Sequence, residues 1–341
     1  MKKFKARVKK TSFLIIGGLI IPLFFILGIF FWWQTSLKPV RPADKGKVTV
    51  VISKGENIAE ISRELKKENL VRSTLVFKIH LLLSGIARKI QAGSHHLSPS
   101  MTMMEIAQAL TKGTADQWLT IVEGLRQEQI GSLLIKQGFA INPAEWQAEI
   151  EAKALEGKLF PDSYLFPKGA TQGAILKIID RNFQKKVEDN LAQEIKTSGL
   201  ALNQILTLAS IVERESRAEE DRKIVAGILI KRWQKNWPLQ ADAAVQYALA
   251  SQKCQGTYSA ECDWWPVKLT KADLQIRSVY NTYLYKRLPP GPICNPGLSS
   301  IKSVLNPQES PYWFYLSDSE GVMHYAKTDI EHAANIDKYL K

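Results

Sequence analysis

Residues 11–33, from Thr11 to Trp33, carry no charge, and the ten residues before them hold Lys2, Lys3, Lys5, Arg7, Lys9 and Lys10 with no acid among them. Few structures accept such a run. Its 23 residues, rising about 1.5 Å each in a helix, are enough to cross a hydrocarbon core of roughly 30 Å. The basic start fits the positive-inside rule, and Phe30, Phe31, Trp32 and Trp33 fit an interfacial aromatic belt. A cleaved signal peptide is the rival reading. However, the apolar stretch exceeds the usual 7–15 or so residues and no Ala-x-Ala site follows it. The expected arrangement is a cytoplasmic basic tail at 1–10, one transmembrane helix at 11–33 and a Pro- and Lys-bearing linker at 34–46, with the rest outside the cytoplasm. A second basic flank (Lys38, Arg41, Lys45, Lys47) follows the run.

Six of the net +13 charges sit in the first ten residues. A basic chain raises the question of nucleic acid. No Lys/Arg cluster interleaved with aromatics follows the apolar run, so a nucleic-acid partner is not expected; a mildly basic surface suits an anionic membrane or wall polymer. Cys254, Cys262 and Cys294 are too few for a disulfide framework. Cys254 and Cys262 closing a small loop, or all three remaining free thiols, are both compatible with the sequence. The five histidines (His80, His95, His96, His324, His332) show no zinc-ligand spacing with the cysteines, and no metal is expected.

Beyond the linker, Val48–Ile52 reads as a strand, and Gly55-Glu56-Asn57 caps a helix from Ile58 to Glu68. A second helix covers Ser73 to Leu83, Ala92 to Leu97 is a short strand with His95 and His96 as a solvated pair, and Met101 to Leu110 is a helix. Together these make a small α+β module over residues 47–115. The remainder, residues 116–341, starts with a strand entering a helix at Trp118–Arg126 and is mostly helical over 127–200. An aromatic loop, Phe160–Pro167, interrupts it. After Trp237 the chain turns loop-rich, including Pro238–Tyr247, and closes with a hairpin at Trp313–Tyr325 and a terminal helix.

Chemistry concentrates around Leu206-Thr-Leu-Ala-Ser-Ile-Val-Glu-Arg-Glu-Ser216. At about 100° per residue, Leu202, Ile205, Leu206, Leu208, Ala209 and Val212 form one apolar face with Glu213 and Glu215 on its borders. A partly desolvated carboxyl holds its proton more tightly, which suits a proton donor in glycosidic-bond cleavage. Periodicity does not choose between the two, and both also read as ordinary helix-edge glutamates. Downstream, Pro289-Pro-Gly-Pro-Ile-Cys-Asn-Pro-Gly297 is a stiff loop that orders around a ligand at little entropic cost. Gln240, Asp242, Tyr247, Asn281, Tyr283 and Tyr285 add groups that hydrogen-bond or stack on sugars.

Taken in order, Leu159-Phe-Pro-Asp-Ser-Tyr164, Ala209–Ser216, Leu239-Gln-Ala-Asp-Ala-Ala-Val-Gln-Tyr247, Tyr280-Asn-Thr-Tyr283 with Leu288-Pro-Pro-Gly-Pro292, and Trp313-Phe-Tyr-Leu-Ser317 resemble the endolytic murein transglycosylases of the YceG-like family over nearly the whole chain. The resemblance implies an α+β protein with a single N-terminal transmembrane helix, a small LysM-like module and a mixed α+β lytic transglycosylase catalytic domain. It implies a lyase that cleaves the MurNAc–GlcNAc bond inside glycan strands, leaving 1,6-anhydro-MurNAc ends and terminating or trimming nascent strands. It places the catalytic acid on Glu213, with Ser210, Gln240, Asp242, Tyr247, Asn281 and Tyr283 binding substrate. Partners implied are peptidoglycan strands, the bacterial inner membrane and cell-wall synthases; no cofactor is implied. A hydrolytic muramidase and a non-catalytic peptidoglycan-binding tether are the alternatives. The chain departs from the family pattern at Ala241, Ala243 and Ala244, in a long Ser251–Val267 segment, and at Cys294.

Overall fold

The computed structural model describes residues 24, 26–52, 55–112, 116–254, 258 and 262–340, and it divides into two units, Met1–Gln117 and Trp118–Lys341. Helices and small sheets mix in both, the α+β class that the sequence leads one to expect.

In the first unit, alternation of apolar residues makes Val48–Ile52 a strand (β1), which pairs antiparallel with Gly93–Leu97 (β2), Val50 opposite His95 and Ile52 opposite Gly93. Two helices, Ile58–Lys67 (α2) and Thr74–Leu83 (α3), fill the crossover, and Met103–Ala109 (α4) follows β2. Both α2 and α4 begin in capping boxes, Asn57 with Glu60 and Thr102 with Glu105, which satisfy the first free N–H groups of each helix. Val50, Ile52, Leu65, Phe77, Leu97 and Ile106 share one core. An apolar helix, Ile26–Leu37 (α1), precedes this module, and its Trp33 and Leu37 pack on that core. Among the described residues no single helix is long and apolar enough to cross a membrane. Most of the expected span at 11–33 lies outside the described residues. The histidine pair divides. His96 is exposed beside Thr49, whereas His95 is buried with its ring nitrogens against the Gln91 and Ala109 carbonyls. Pleat alternation explains this, since neighbours on a strand face opposite sides.

The second unit has two cores. The first lies between a two-stranded sheet, Asp116–Ile121 (β3) with Asp162–Pro167 (β4), and the helices Gln127–Lys136 (α5), Pro143–Ala152 (α6) and Gln172–Phe183 (α7). The segment expected as an aromatic loop is thus largely strand. Tyr164 and Phe166 alternate into the core, and the Tyr164 hydroxyl donates to the Phe160 carbonyl at 2.6 Å.

The second core surrounds Leu202–Glu215 (α9), which follows Ala192–Ser198 (α8). Every residue from Ile205 to Val212 is buried, so α9 is enclosed rather than half-wetted. Its walls are Glu219–Gln234 (α10), Asp242–Lys253 (α11) and Leu298–Leu305 (α12), and this enclosure accepts polar Thr207 and Ser210 only because their hydroxyls are hydrogen-bonded. The existence of α11 corrects the expected loop at 238–247: Ala243, Ala244 and Ala248 are strong helix formers, and Ala243 and Ala244 bury in the core around α9. A hairpin of Phe314–Ser317 (β5) and Met323–Ala326 (β6) and a last helix, Asp329–Tyr339 (α13), complete the unit. Cys254 and Cys262 are disulfide-bonded with Cα atoms 6.1 Å apart, and Cys294 is a buried free thiol.

Candidate functional site

The two glutamates at the end of α9 meet different neighbours. Glu213 accepts from the Arg222 guanidinium at 3.0 Å, from the Gly297 N–H at 2.8 Å and from the Ser300 hydroxyl at 2.9 Å. Gly297 is the N-cap of α12, so the carboxylate supplies the acceptors that a helix start lacks. Its side chain is only 6% exposed. Glu123 crowds the same place: a Cβ on Gly297 would fall 1.9 Å from its Oε1, and Arg222 also reaches it at 4.0 Å. Burial and the neighbouring Glu213 push Glu123 up, partly offset by Arg222. With its oxygens committed to an arginine, a backbone amide and a hydroxyl, Glu213 ties α9 to α10 and α12.

Glu215 turns instead toward the start of α11. Its Oε1 accepts from the Ala243 N–H at 3.3 Å, and Asp242, Tyr283, Tyr315 and Arg232 surround it. Burial, reinforced by the Asp242 carboxylate, pushes Glu215 up to about 7, against the Ala243 amide and the Arg232 charge. Both causes disfavour the ionised form. Arg232 is itself pinned, donating to the Trp313 carbonyl at 2.8 Å and the Leu239 carbonyl at 2.6 Å. Tyr283 donates to Asp242 Oδ1 at 2.5 Å.

Of the substrate-binding residues expected from the sequence, Asp242 and Tyr283 therefore gather at Glu215. Gln240 lies two residues before Asp242, exposed, in a left-handed backbone conformation (φ +52°) with its N–H held by the Thr282 carbonyl at 3.1 Å. It lines a cavity of about 400 Å³ with Trp237, Trp313, Phe314 and Thr328. Tyr247 stands farther along α11 in the wall of a larger cavity of about 640 Å³, with Tyr280, Trp264, Asn203, Glu156 and Pro292. Its ring lies 4.7 Å from that of Tyr280 and 4.1 Å from the guanidinium of the fully buried Arg126. Neither cavity has Glu213 or Glu215 in its wall.

Asn281 and Ser210 are buried and spent internally. Asn281 donates to the Leu274 and Ile276 carbonyls and accepts from the Tyr283 N–H, shaping the loop that presents Tyr283. Ser210 donates to the Thr207 carbonyl and accepts from the Ile293 N–H, fastening the proline loop to α9.

Nothing in the sequence singled out Glu156, Asn295 or Arg232. Asn295 donates to Glu156 at 2.7 Å and to the Leu125 carbonyl at 3.0 Å while accepting from the Leu159 N–H at 2.8 Å. Burial, with Glu128 adding to it, pushes Glu156 up to about 8. The proximity of Asn295 to an acid is a contact across 139 positions, which local spacing does not reveal.

The chain belongs to the YceG-like family, whose pattern matches residues 50–338. It is 31% identical to a protein named endolytic murein transglycosylase from Bacillus subtilis strain 168, over 92% of this chain and 90% of that relative. A protein of the same name from Streptococcus pneumoniae serotype 2 strain D39 is 29% identical over 96% of this chain, which spans 65% of that longer relative. A crystal structure of a YceG-like protein from Listeria monocytogenes covers 85% of this chain and 99% of its own with a TM-score of 0.52 at 26% identity.

Proposed function

We propose that the chain is a peptidoglycan lytic transglycosylase, a lyase that cuts the MurNAc–GlcNAc bond within glycan strands and leaves 1,6-anhydro-MurNAc ends. The kinship with endolytic murein transglycosylases supports the reaction class. The single observation that carries the site assignment is geometric. The Glu215 carboxylate sits at the start of α11, accepting from the Ala243 N–H beside an Asp242 that Tyr283 holds at 2.5 Å, whereas the Glu213 oxygens are taken by Arg222, Gly297 and Ser300. Burial and Asp242 also push Glu215 up to about 7. On this reading the acid is Glu215, in place of the Glu213 that the sequence resemblance favoured. A carboxyl near neutrality serves both halves of the reaction, because comparable fractions are protonated and ionised.

Protonated Glu215 donates to the oxygen bridging the two sugars as that bond breaks and positive charge develops at the muramic anomeric carbon. The resulting carboxylate takes the proton from the same sugar's 6-hydroxyl, whose oxygen then bonds to the anomeric carbon. Glu215 ends protonated, no water is consumed, and the ring closes. Gln240 and Tyr283 present an amide and a phenol suited to sugar hydroxyls and N-acetyl groups, and the aromatic cavity on Tyr247 and Tyr280 suits sugar faces.

The apolar run at 11–33 and the basic decade before it support a single-pass anchor in the inner membrane, with the N-terminus cytoplasmic. On this reading residues 47–115 are a LysM-like module, supported by their strand–helix–helix–strand order. Residues 116–341 are the catalytic domain, working on strands delivered by cell-wall synthases. Digestion of purified sacculi by the wild type and by Glu215→Gln, followed by mass spectrometry, tests the reaction. Fragments lighter than reducing ends by one water, lost in the variant, are expected. Reducing ends would instead identify a muramidase with Asp242 activating water, and cleavage unaffected by Glu215→Gln would overturn the site.

A further inference from the structure

Apart from Lys78 and His80, helix α3 carries large apolar residues on all sides, Thr-Leu-Val-Phe-Lys-Ile-His-Leu-Leu-Leu, yet only one side has a partner. Val76, Phe77 and Leu81 are buried in the module core. On the other side Leu75, Leu82 and Leu83 are 54%, 63% and 78% exposed, with Ile79 and Lys78 between them. Helical spacing puts these five on one stripe. Arg88 and Lys89, both exposed, follow directly in the 3-10 turn after α3. A helix that is hydrophobic all round is normally enclosed, and a contiguous exposed stripe marks an interaction surface.

Two further observations name what covers it. The first is continuity with the apolar N-terminal helix. Arg72, two residues before α3, donates to the Pro39 carbonyl at 2.7 Å and the Val40 carbonyl at 3.2 Å, so the start of the stripe is fastened to the chain just after α1. The second is charge. Residues 34–112 hold 13 Lys and Arg against 6 Asp and Glu, whereas residues 113–341 hold 27 of each. Beyond the N-terminal ten residues, all the surplus positive charge belongs to the linker and the module next to the apolar run, and the site-bearing unit is balanced.

We propose that the exposed face of α3, Leu75, Ile79, Leu82 and Leu83 flanked by Lys78, Arg88 and Lys89, docks on the anionic surface of the lipid bilayer that the N-terminal run enters. Leucines seat at the acyl boundary while the basic side chains pair with lipid phosphates, as in interfacial helices. The inference rests on the membrane-anchored reading above. Docking adds a second attachment to the membrane beside the chain that leads out of α1, and so fixes how the module stands on it.

The full chain carrying Leu83→Cys, labelled with an environment-sensitive fluorophore under non-reducing conditions, tests this; Cys294 is buried and the other two cysteines are paired. It is reconstituted into phosphatidylcholine vesicles with or without phosphatidylglycerol, each containing lipids brominated in their acyl chains. A Thr49→Cys label on the exposed edge of β1 is the control. Docking predicts quenching at residue 83 and not at 49. The quenching should be stronger with phosphatidylglycerol and weaker in high salt, and should be lost when Leu75 and Leu82 are changed to Glu. Failure of the protein to float with vesicles overturns the anchor and the docking together. A protein that floats but leaves residue 83 unquenched overturns docking alone. So does a label shielded from a water-soluble quencher without quenching by lipid, since protein then covers the face.

Discussion

Tyr283 donates its phenolic proton to Asp242 Oδ1 at 2.5 Å, joining the Tyr-Asn-Thr-Tyr loop to the first turn of α11 and holding a carboxylate beside Glu215. That carboxylate helps raise Glu215, so activity that needs the Glu215 proton should fall as pH rises through about 7. Asp242→Asn removes the negative charge and should move the alkaline limb of the kcat/KM profile to lower pH. An unmoved limb in a folded, active variant would separate the two residues.

Glu215→Gln and Glu213→Gln should fail differently. The first removes the proposed acid and should lower kcat by about 10²–10⁴-fold with little change in Tm. The second deprives nearly buried Arg222 of its 3.0 Å partner and weakens the start of α12, at a cost of about 1–3 kcal/mol. Chemical denaturation alongside turnover on sacculi distinguishes them, and the opposite pattern would return the acid to Glu213.

Glu156 makes stability pH-dependent. Its folded value of about 8 lies above that of an unfolded carboxyl, so the folded state holds the proton more tightly. The stability this brings is present below the ordinary carboxyl range of about 4 and is lost as pH rises through about 8. Glu156→Gln should therefore raise Tm relative to wild type at pH 9 more than at pH 4, as thermal melts at the two values would read.

Gly227→Ala should destabilise although alanine is the better helix former by about 1 kcal/mol. A Cβ at this position in α10 would stand 2.2 Å from the Gln308 carbonyl oxygen, and the Gln308 N–H is bonded to the Lys223 carbonyl at 3.0 Å. Backbone meets backbone there, and relief requires parting α10 from the segment after α12. A loss on the order of 1–3 kcal/mol in urea unfolding is expected; a gain would show that the segment yields freely.

Local order was legible where one physical signal dominated. The strand Val48–Ile52 and the Asn57-capped helix after it stand where alternation and capping place them, and the terminal hairpin forms around Asp318–Gly321. Burial was less legible. Periodicity gave α9 one apolar face, but α10 directly after it and the more distant α11 and α12 enclose it, so its period carries little information about which side is wet. For the same reason the wheel left Glu213 and Glu215 equivalent. What separates them is Gly297 and Ser300 on one side and Asp242 and Ala243 on the other, partners brought in by tertiary packing. Asn281 and Ser210 carried the right chemistry for a ligand, yet each is consumed by the backbone it braces.

Gln240 keeps an amide at the rim of the smaller cavity through a dihedral that suits glycine better. The chain tolerates that conformational expense at a position where a residue without a side chain would relax the turn at once. Glycine at 240 should accordingly leave the fold as sturdy as before, or sturdier, and on the proposed reading should weaken grip on the saccharide. On that reading, the unfavourable dihedral serves to present an amide to sugar.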